Sequence, residues 1–451
     1  MKNQFQFPKN FVWGTATASY QIEGGKEQDG KGLSIWDEYV TRKGKIHNGD
    51  TGDIACDHYN KYIDDVKLMK QLGYPSYRFS LSWPRILPQG ENKVNVKGLD
   101  FYDRLVDQLM AKNIRPFVTL YHWDLPLELE QQGGWRNRST AEKFADYTEV
   151  VVNKLGDRVK DWITINEPWI IYVAGNIVGL HAPGKIRPFS SYKVAHNLML
   201  AHGLALQRIR SISPKAKVGI TNALSPIQYY KLNTGIKTVE KADAILNGIW
   251  MDSIYKGRYP LAIEDEFYSQ NKSNIQPADL NIISQPTDFL GINHYTRTIV
   301  RWAPVPVFSC VPVRPKYKDV EFTSMGWEIY PKGIKDLLDT VRKKYNNPPV
   351  YITENGVAFF ESPSDDGIIH DRNRIQFIDS YLRNIHHAIQ EGSDVRGYFA
   401  WSFMDNFEWH YGYKKTFGLV HIDRNSKNLT RTPKDSAIWF GKVCKKNGLI
   451  D

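Results

Sequence analysis

The strongest constraint on this chain's fold is an alternation repeated eight times. A short run of β-branched and aromatic residues is followed each time by a longer segment of helical periodicity. The runs are FVWGTATASYQ from Phe11, SYRFSLSW from Ser76, RPFVTLYHW from Arg115 and WITINEP from Trp162. KVGITNA from Lys217, DFLGINHYT from Asp288, PVYITENG from Pro349 and VRGYFAWSFMD from Val395 complete the set. Between them lie amphipathic segments such as YIDDVKLMKQLG, GLDFYDRLVDQLMAKN, TAEKFADYTEVVVNKLGD and DSYLRNIHHAIQEG. Two of these close on Gly and one on Asn, as helix C-termini tend to. Eight strands alternating with helices imply a parallel β/α architecture, and a closed eightfold (β/α)8 barrel ahead of an open doubly wound sheet. The first run is not followed by the glycine spacing of a phosphate-binding loop, and GGKEQDGKG reads as a turn.

A length of 451 residues would accommodate two or three ordinary domains or one elaborated barrel. No linker, low-complexity tract or shift in composition divides the chain, so one catalytic domain over 1–451 is expected. The net charge of +10 is spread over 59 basic and 49 acidic residues. Basic clusters are short, as at Arg342-Lys343-Lys344, so the charge reads as solvated surface rather than a nucleic-acid footprint. Cys56, Cys310 and Cys444 form neither a metal-ligand pattern nor a disulfide framework, which favours a reducing, cytoplasmic location. No apolar run has the length of a signal-peptide core or a membrane span.

Nearly every run ends in polar or aromatic residues: Gln21, Arg78, His122-Trp123, Asn166-Glu167, Asn293 with Tyr295, Glu354-Asn355, and Trp401 with Asp405. In barrels the site is built at the C-terminal ends of the strands, so the repetition implies a polar pocket. Glu167 closes the fourth run and Glu354 the seventh, which places two carboxylates across a barrel mouth. Two facing carboxylates suit glycoside hydrolysis, one as acid and base, the other as nucleophile or as base for a water according to their separation. His122 and His181 lack metal-ligand spacing, and no GxSxG elbow offers a serine nucleophile.

TINEP and ITENG resemble the two signature segments of glycoside hydrolase family 1, the retaining β-glycosidases, and the resemblance covers almost the whole chain. FVWGTATASYQIEG, SIWDEY, TLYHWDLP, GLHAPG, MGWEIYPKGI, AWSFMDNFEWHYGY, FGLVHID and RTPKDSA follow in the family's order. The resemblance implies a single (β/α)8 barrel, with Glu354 as nucleophile and Glu167 as acid/base. It implies that Arg78 and Tyr295 keep Glu354 ionised, and it places Asn293 among the catalytic group. Gln21, His122, Asn166, Glu408 and Trp409 match residues that bind the glycone hydroxyls, with Asn166 at the sugar 2-hydroxyl. Trp401 matches the floor under the sugar and Trp327 an aglycone wall; Trp123 and Phe417 join the substrate-binding set.

No metal or cofactor is implied. The partner expected is a small-molecule β-glycoside, cellobiose included, with neither nucleic acid nor membrane; a homo-oligomer is compatible. Where the family's 6-phospho-β-glycosidases typically carry Ser, this chain has Glu408, which would repel a phosphate dianion and accept bonds from neutral hydroxyls. Tyr413 and Lys414 nearby keep that branch open as an alternative, as is a transglycosidase with the same catalytic residues. A non-catalytic sugar-binding relative would typically lack one of the two carboxylates. Two departures from the usual pattern, His294 in GINHY and Thr416 in KKTFG, are expected at the pocket rim. The segment from Val300 to Phe322 follows no clear family pattern and is expected to shape the aglycone entrance.

Overall fold

The computed structural model describes residues 5–190, 192–231, 235–316, 320–365 and 367–450. Eight parallel strands close into a barrel: β1 (Val12–Ala16), β2 (Ser76–Ser80), β3 (Arg115–Tyr121), β4 (Asp161–Asn166), β5 (Lys217–Ala223), β6 (Phe289–Asn293), β7 (Val350–Asn355) and β8 (Val395–Trp401). Each falls on one of the eight runs, β4 starting one residue before its run, and β1 pairs with both β2 and β8, which seals the ring. The strands are buried almost throughout because helices cover them outside and side chains fill them inside. That is why they read as apolar runs rather than as alternations.

The barrel floor is an aromatic plug. Phe117 packs edge-on to Phe399 at 4.8 Å and to Tyr351 at 5.4 Å between ring centroids, and Phe289 meets Tyr351 at 5.1 Å. Glycines on neighbouring strands make the room: a Cβ on Gly14 would stand 2.6 Å from the Phe399 ring, and one on Gly219 2.5 Å from Phe289. The pocket therefore has a rigid base and opens only at the strands' C-terminal end.

The outer helices follow their apolar stripes. In α1 (Val96–Ala111) Leu99, Tyr102, Leu105, Val106 and Leu109 are buried, and in α2 (Arg372–Gln390) Phe377, Ile378, Tyr381, Leu382 and Ile385 are. The residues expected to end helices do so in left-handed backbone, with φ of +84° at Gly73, +54° at Asn113 and +98° at Gly392. In the GGKEQDGKG turn Gly24, Gly25, Asp29 and Gly30 all have positive φ. Outside the barrel, the strands Ile227–Tyr229, Thr298–Trp302 and Cys310–Pro312 form a small sheet of their own. The three cysteines are buried and unbonded to one another. Among the described residues no helix is long and apolar enough to cross a membrane.

Candidate active site

Register shifts fall where the strands deliver their polar tips. The β6–β7 pairing slips between Ile352 and Glu354, so that Glu354 stands opposite Asn293; the β4–β5 pairing slips between Ile163 and Asn166. Such irregularities re-aim side chains at a barrel rim. Glu167 then leaves β4 in left-handed backbone at φ +49°, its N–H tied to the Thr221 carbonyl at 2.8 Å, and Pro168 opens a short helical turn. Trp123 and Trp409, also in the cavity wall, share the left-handed region at φ +79° and +50°. For bulky residues this costs on the order of 1–3 kcal/mol each, so the surrounding packing holds them there.

The two carboxylates line one cavity of about 700 Å³ and differ in what holds them. Arg78, fully buried, donates from Nη1 to Glu354 Oε1 at 2.6 Å, and the Tyr295 hydroxyl donates to Glu354 Oε2 at 2.7 Å. Among the described residues no cation pairs with Glu167; its Oε1 accepts from Asn293 Nδ2 at 2.6 Å. Burial, then the neighbouring Glu354 charge, push Glu167 up to about 8. Burial also raises Glu354, but Arg78, Tyr295 and Asn293 pull it back down. A proton entering the pair therefore goes to Glu167, and Glu354 carries the charge.

A hydrogen-bond chain orients the rest. Asn166 Oδ1 accepts from Arg78 Nη2 at 2.6 Å and from Asn293 Nδ2 at 3.1 Å, which fixes its amide. Its Nδ2 then donates to His122 Nε2 at 3.0 Å, so the imidazole proton sits on Nδ1. That Nδ1 has no partner among the described residues, and neither does the buried Gln21 Oε1. Gln21 Nε2 donates to Phe407 O, Asn406 Oδ1 and, at 3.4 Å, Glu408 Oε2. Burial and the Glu354 charge push Glu408 up to about 8 as well.

Most of the residues singled out in the sequence reach this cavity: His122, Trp123, Glu167, Asn293, Tyr295, Trp327, Glu354, Trp401, Glu408, Trp409 and Phe417 all line it. Arg78, Asn166 and Gln21 stand behind the wall and are fully buried. Asn166, matched to the sugar 2-hydroxyl, already has its carbonyl and amide groups engaged by Arg78, Asn293 and His122. Tyr295 and Trp327 pack together at 5.2 Å, with Phe417 about 6 Å from each.

Some expectations do not carry through. Asp405 points away from the cavity and pairs with Lys434 at 3.1 Å and His421 at 3.2 Å. Asn355 is absorbed by Tyr398 and the His294 carbonyl. His294 and Thr416 are not at the rim: His294 is buried with Nδ1 on the Leu224 carbonyl, and the Thr416 hydroxyl donates to the Phe359 carbonyl. Tyr413 donates to the Thr51 carbonyl at 2.6 Å and Lys414 is exposed; neither lines the cavity. The tyrosine and lysine singled out in the sequence, Tyr413 and Lys414, thus form no phosphate cradle beside Glu408.

The sequence reading reached the cavity's outer half only in part, through Trp327 and the segment from Val300 to Phe322. Trp169, Ile170, Val173, Val178 and Leu180 form one wall. Residues 296–299, 312–315, 322 and 325–328 form the other, among them 312–315 and Phe322 of the segment expected at the aglycone entrance. For the first wall, the apolar pair Trp169-Ile170 directly after Glu167-Pro168 was a signal left unused. Two carboxyl groups of unequal proton affinity, facing one cavity in a barrel mouth, are the equipment of an O-glycosyl hydrolase, and that is the class of enzyme the chain defines.

The chain belongs to glycosyl hydrolase family 1, whose sequence profile matches residues 3–449. Beta-glucosidase A of Acetivibrio thermocellus is 44% identical over 453 residues, covering 99% of this chain and all of that protein. The 1,4-beta-D-glucan glucohydrolase of Thermotoga neapolitana is 43% identical, covering 99% of this chain and all of its own length. The solved structure of the beta-glucosidase from Thermotoga maritima in complex with deoxynojirimycin superposes with a TM-score of 0.92 at 42% identity, over 99% of this chain and all of that one.

Proposed function

We propose that this enzyme is a retaining, exo-acting β-glucosidase that also accepts β-galactosides and β-fucosides, with Glu354 as nucleophile and Glu167 as acid/base. On this reading residues 1–451 work as one catalytic domain, and terminal glucosyl residues of aryl glucosides and cello-oligosaccharides are the substrates. The Thermotoga neapolitana relative's name supports the second group. The observation that carries the assignment is the unequal bonding of the pair. Both Glu354 oxygens are held, by an arginine and by a phenol, whereas Glu167 has burial and a like charge beside it.

The chemistry follows. A Glu354 oxygen attacks the anomeric carbon as the bond to the aglycone oxygen breaks, and Glu167 transfers its proton to that departing oxygen. A glycosyl ester on Glu354 results, and Glu167 is now a carboxylate. It takes a proton from an entering water, whose oxygen attacks the anomeric carbon from the face the aglycone left. Glu354 departs as carboxylate, Glu167 is protonated again, and the sugar keeps its β configuration. His122 Nδ1–H and Gln21 Oε1, one free donor and one free acceptor, are suited to glycone hydroxyls, with Glu408 accepting or donating beside them. Trp401 supplies the floor for the sugar's apolar face.

Proton NMR of a nitrophenyl β-glucoside digest tests this: β-glucose must appear first and the α-anomer only by later mutarotation. Nitrophenyl β-glucoside 6-phosphate must be the slower substrate, and faster cleavage of it would sink the assignment of a neutral glycone.

A further inference from the structure

In the outer half of the cavity, the polar groups of one wall are engaged with one another. The Ser225 hydroxyl donates to the Thr296 carbonyl at 3.0 Å and lies 2.9 Å from the Thr298 hydroxyl; the Thr296 hydroxyl donates to the Glu328 carbonyl at 2.8 Å. Arg297 grips Glu328 through Nε and Nη2, both at 2.8 Å, which cancels the two charges. The facing wall, with Val173, Val178 and Leu180, is apolar. A second sugar placed here would find few hydroxyl partners.

Arg314 is the exception. It lines the cavity, is solvent-exposed, and has no hydrogen bond or ion pair among the described residues. Its guanidinium carbon lies 3.9 Å from the centroid of the Phe322 ring, which lines the same cavity. A guanidinium resting on an aromatic face keeps its in-plane N–H groups available, and their fork matches a carboxylate.

We propose that Arg314 is a specificity-determining residue that selects β-glucosides whose apolar, aromatic aglycone carries an anionic group, an aryl carboxylate in particular. This rests on the glycosidase reading above. The apolar wall takes the ring, and Arg314 takes the charge at the rim. The contact is to the aglycone's charged substituent rather than to the reacting atoms, so it is made equally in the ground and transition states, acts on KM and leaves kcat alone.

The test uses 4-carboxyphenyl β-glucoside and its neutral methyl ester with the wild-type chain, Arg314→Gln and Arg314→Lys. Comparing each substrate across variants cancels the different reactivities of the two phenols. The expected result is that Arg314→Gln raises KM for the carboxylate about threefold to fivefold at low salt, the scale of an exposed ion pair, and leaves the ester and both kcat values unchanged. Arg314→Lys retains part of the preference, and about 1 M salt erases the wild-type difference. Equal shifts for both substrates, or none, would overturn the role of Arg314 while leaving the glycosidase intact. If the wild-type chain cleaves neither substrate, the glycosidase reading itself fails and takes this inference with it.

Discussion

The inner and outer halves of the cavity are built on opposite principles. In the inner half, strand tips hold ionisable groups in a connected network, and each bond decides the state of the next: Arg78 fixes Asn166, Asn166 fixes the His122 tautomer, and Asn293 ties Asn166 to Glu167. In the outer half, loops satisfy many of their polar groups among themselves and present apolar surface together with Arg314, which is unpaired among the described residues. Rigid preorganisation suits the end where charge develops in the reaction; an adaptable apolar face suits the end that meets varied aglycones. Substitutions in the inner half should therefore change kcat, pH dependence and every substrate alike, and those in the outer half should change KM for some aglycones only.

The sharpest way to break this contrast is Glu354→Ala. With the proposed nucleophile gone, hydrolysis of every aryl β-glucoside should fall by at least about 10⁴-fold, and added azide or formate should restore turnover with inverted, α-configured product. Retention of full activity would end the double-displacement account. Arg78→Gln comes next, at about 10²- to 10³-fold in kcat/KM. Losing the opposite charge on Glu354 lets burial raise it further, so the acidic limb of the pH profile should move to higher pH. On the proposed roles the basic limb reports Glu167 as the protonated acid: activity should hold up to roughly pH 8 and decline above it. In Glu354→Gln the basic limb cannot be read from turnover. The Glu167 carboxyl band in difference infrared spectra should show titration at lower pH, because the neighbouring charge is gone.

How much of this was legible in the sequence divides along the same line. The eight strands and the inner half could be read because strand tips are written as short, locally determined motifs: TINEP and ITENG each carry the strand, its end and the carboxylate together. The left-handed turn at Glu167 and the register shifts beside Glu354 were not legible, since they arise from pairing with β5 and β6, far away in sequence. Asp405 and Asn355 looked like pocket residues from their position after a strand, yet Lys434 and Tyr398, brought in by the chain's C-terminal part and by β8, claim them. The outer half was legible only at Trp327 and in the 300–322 segment, because much of one wall comes from irregular loops held by the small sheet around Thr298–Trp302, whose strands are far apart in sequence.

Trp327→Ala should sharpen the contrast from the outer side. The indole packs on Tyr295, so the two halves touch there. If the division holds, KM for aryl glucosides rises about tenfold and the hydrolysis step for the glycosyl-enzyme, measured after a fast-leaving dinitrophenol, is unchanged. A matching drop in that second step would mean that Trp327 also holds Tyr295 against Glu354, and that the halves are mechanically one.

The smallest expected effect is on stability, and it concerns Glu408. Burial and the Glu354 charge push this carboxyl to about 8 from its ordinary 4.5. The folded chain thus holds a proton that the unfolded chain releases, so stability is greatest below about pH 4.5 and is lost as pH rises towards 8. Glu408→Gln removes the titration while keeping the shape. Its melting temperature should exceed the wild type's by about 1–3 °C at pH 8 and match it at pH 4, read by calorimetry at both values. Such a gain would be accompanied by weaker glycone binding, because a fixed amide offers its donor and acceptor in one arrangement where a carboxyl can ionise to suit the sugar. Equal melting temperatures at pH 8 would mean that Glu408 is ionised without a bound sugar, and that it adds a second carboxylate charge beside Glu354.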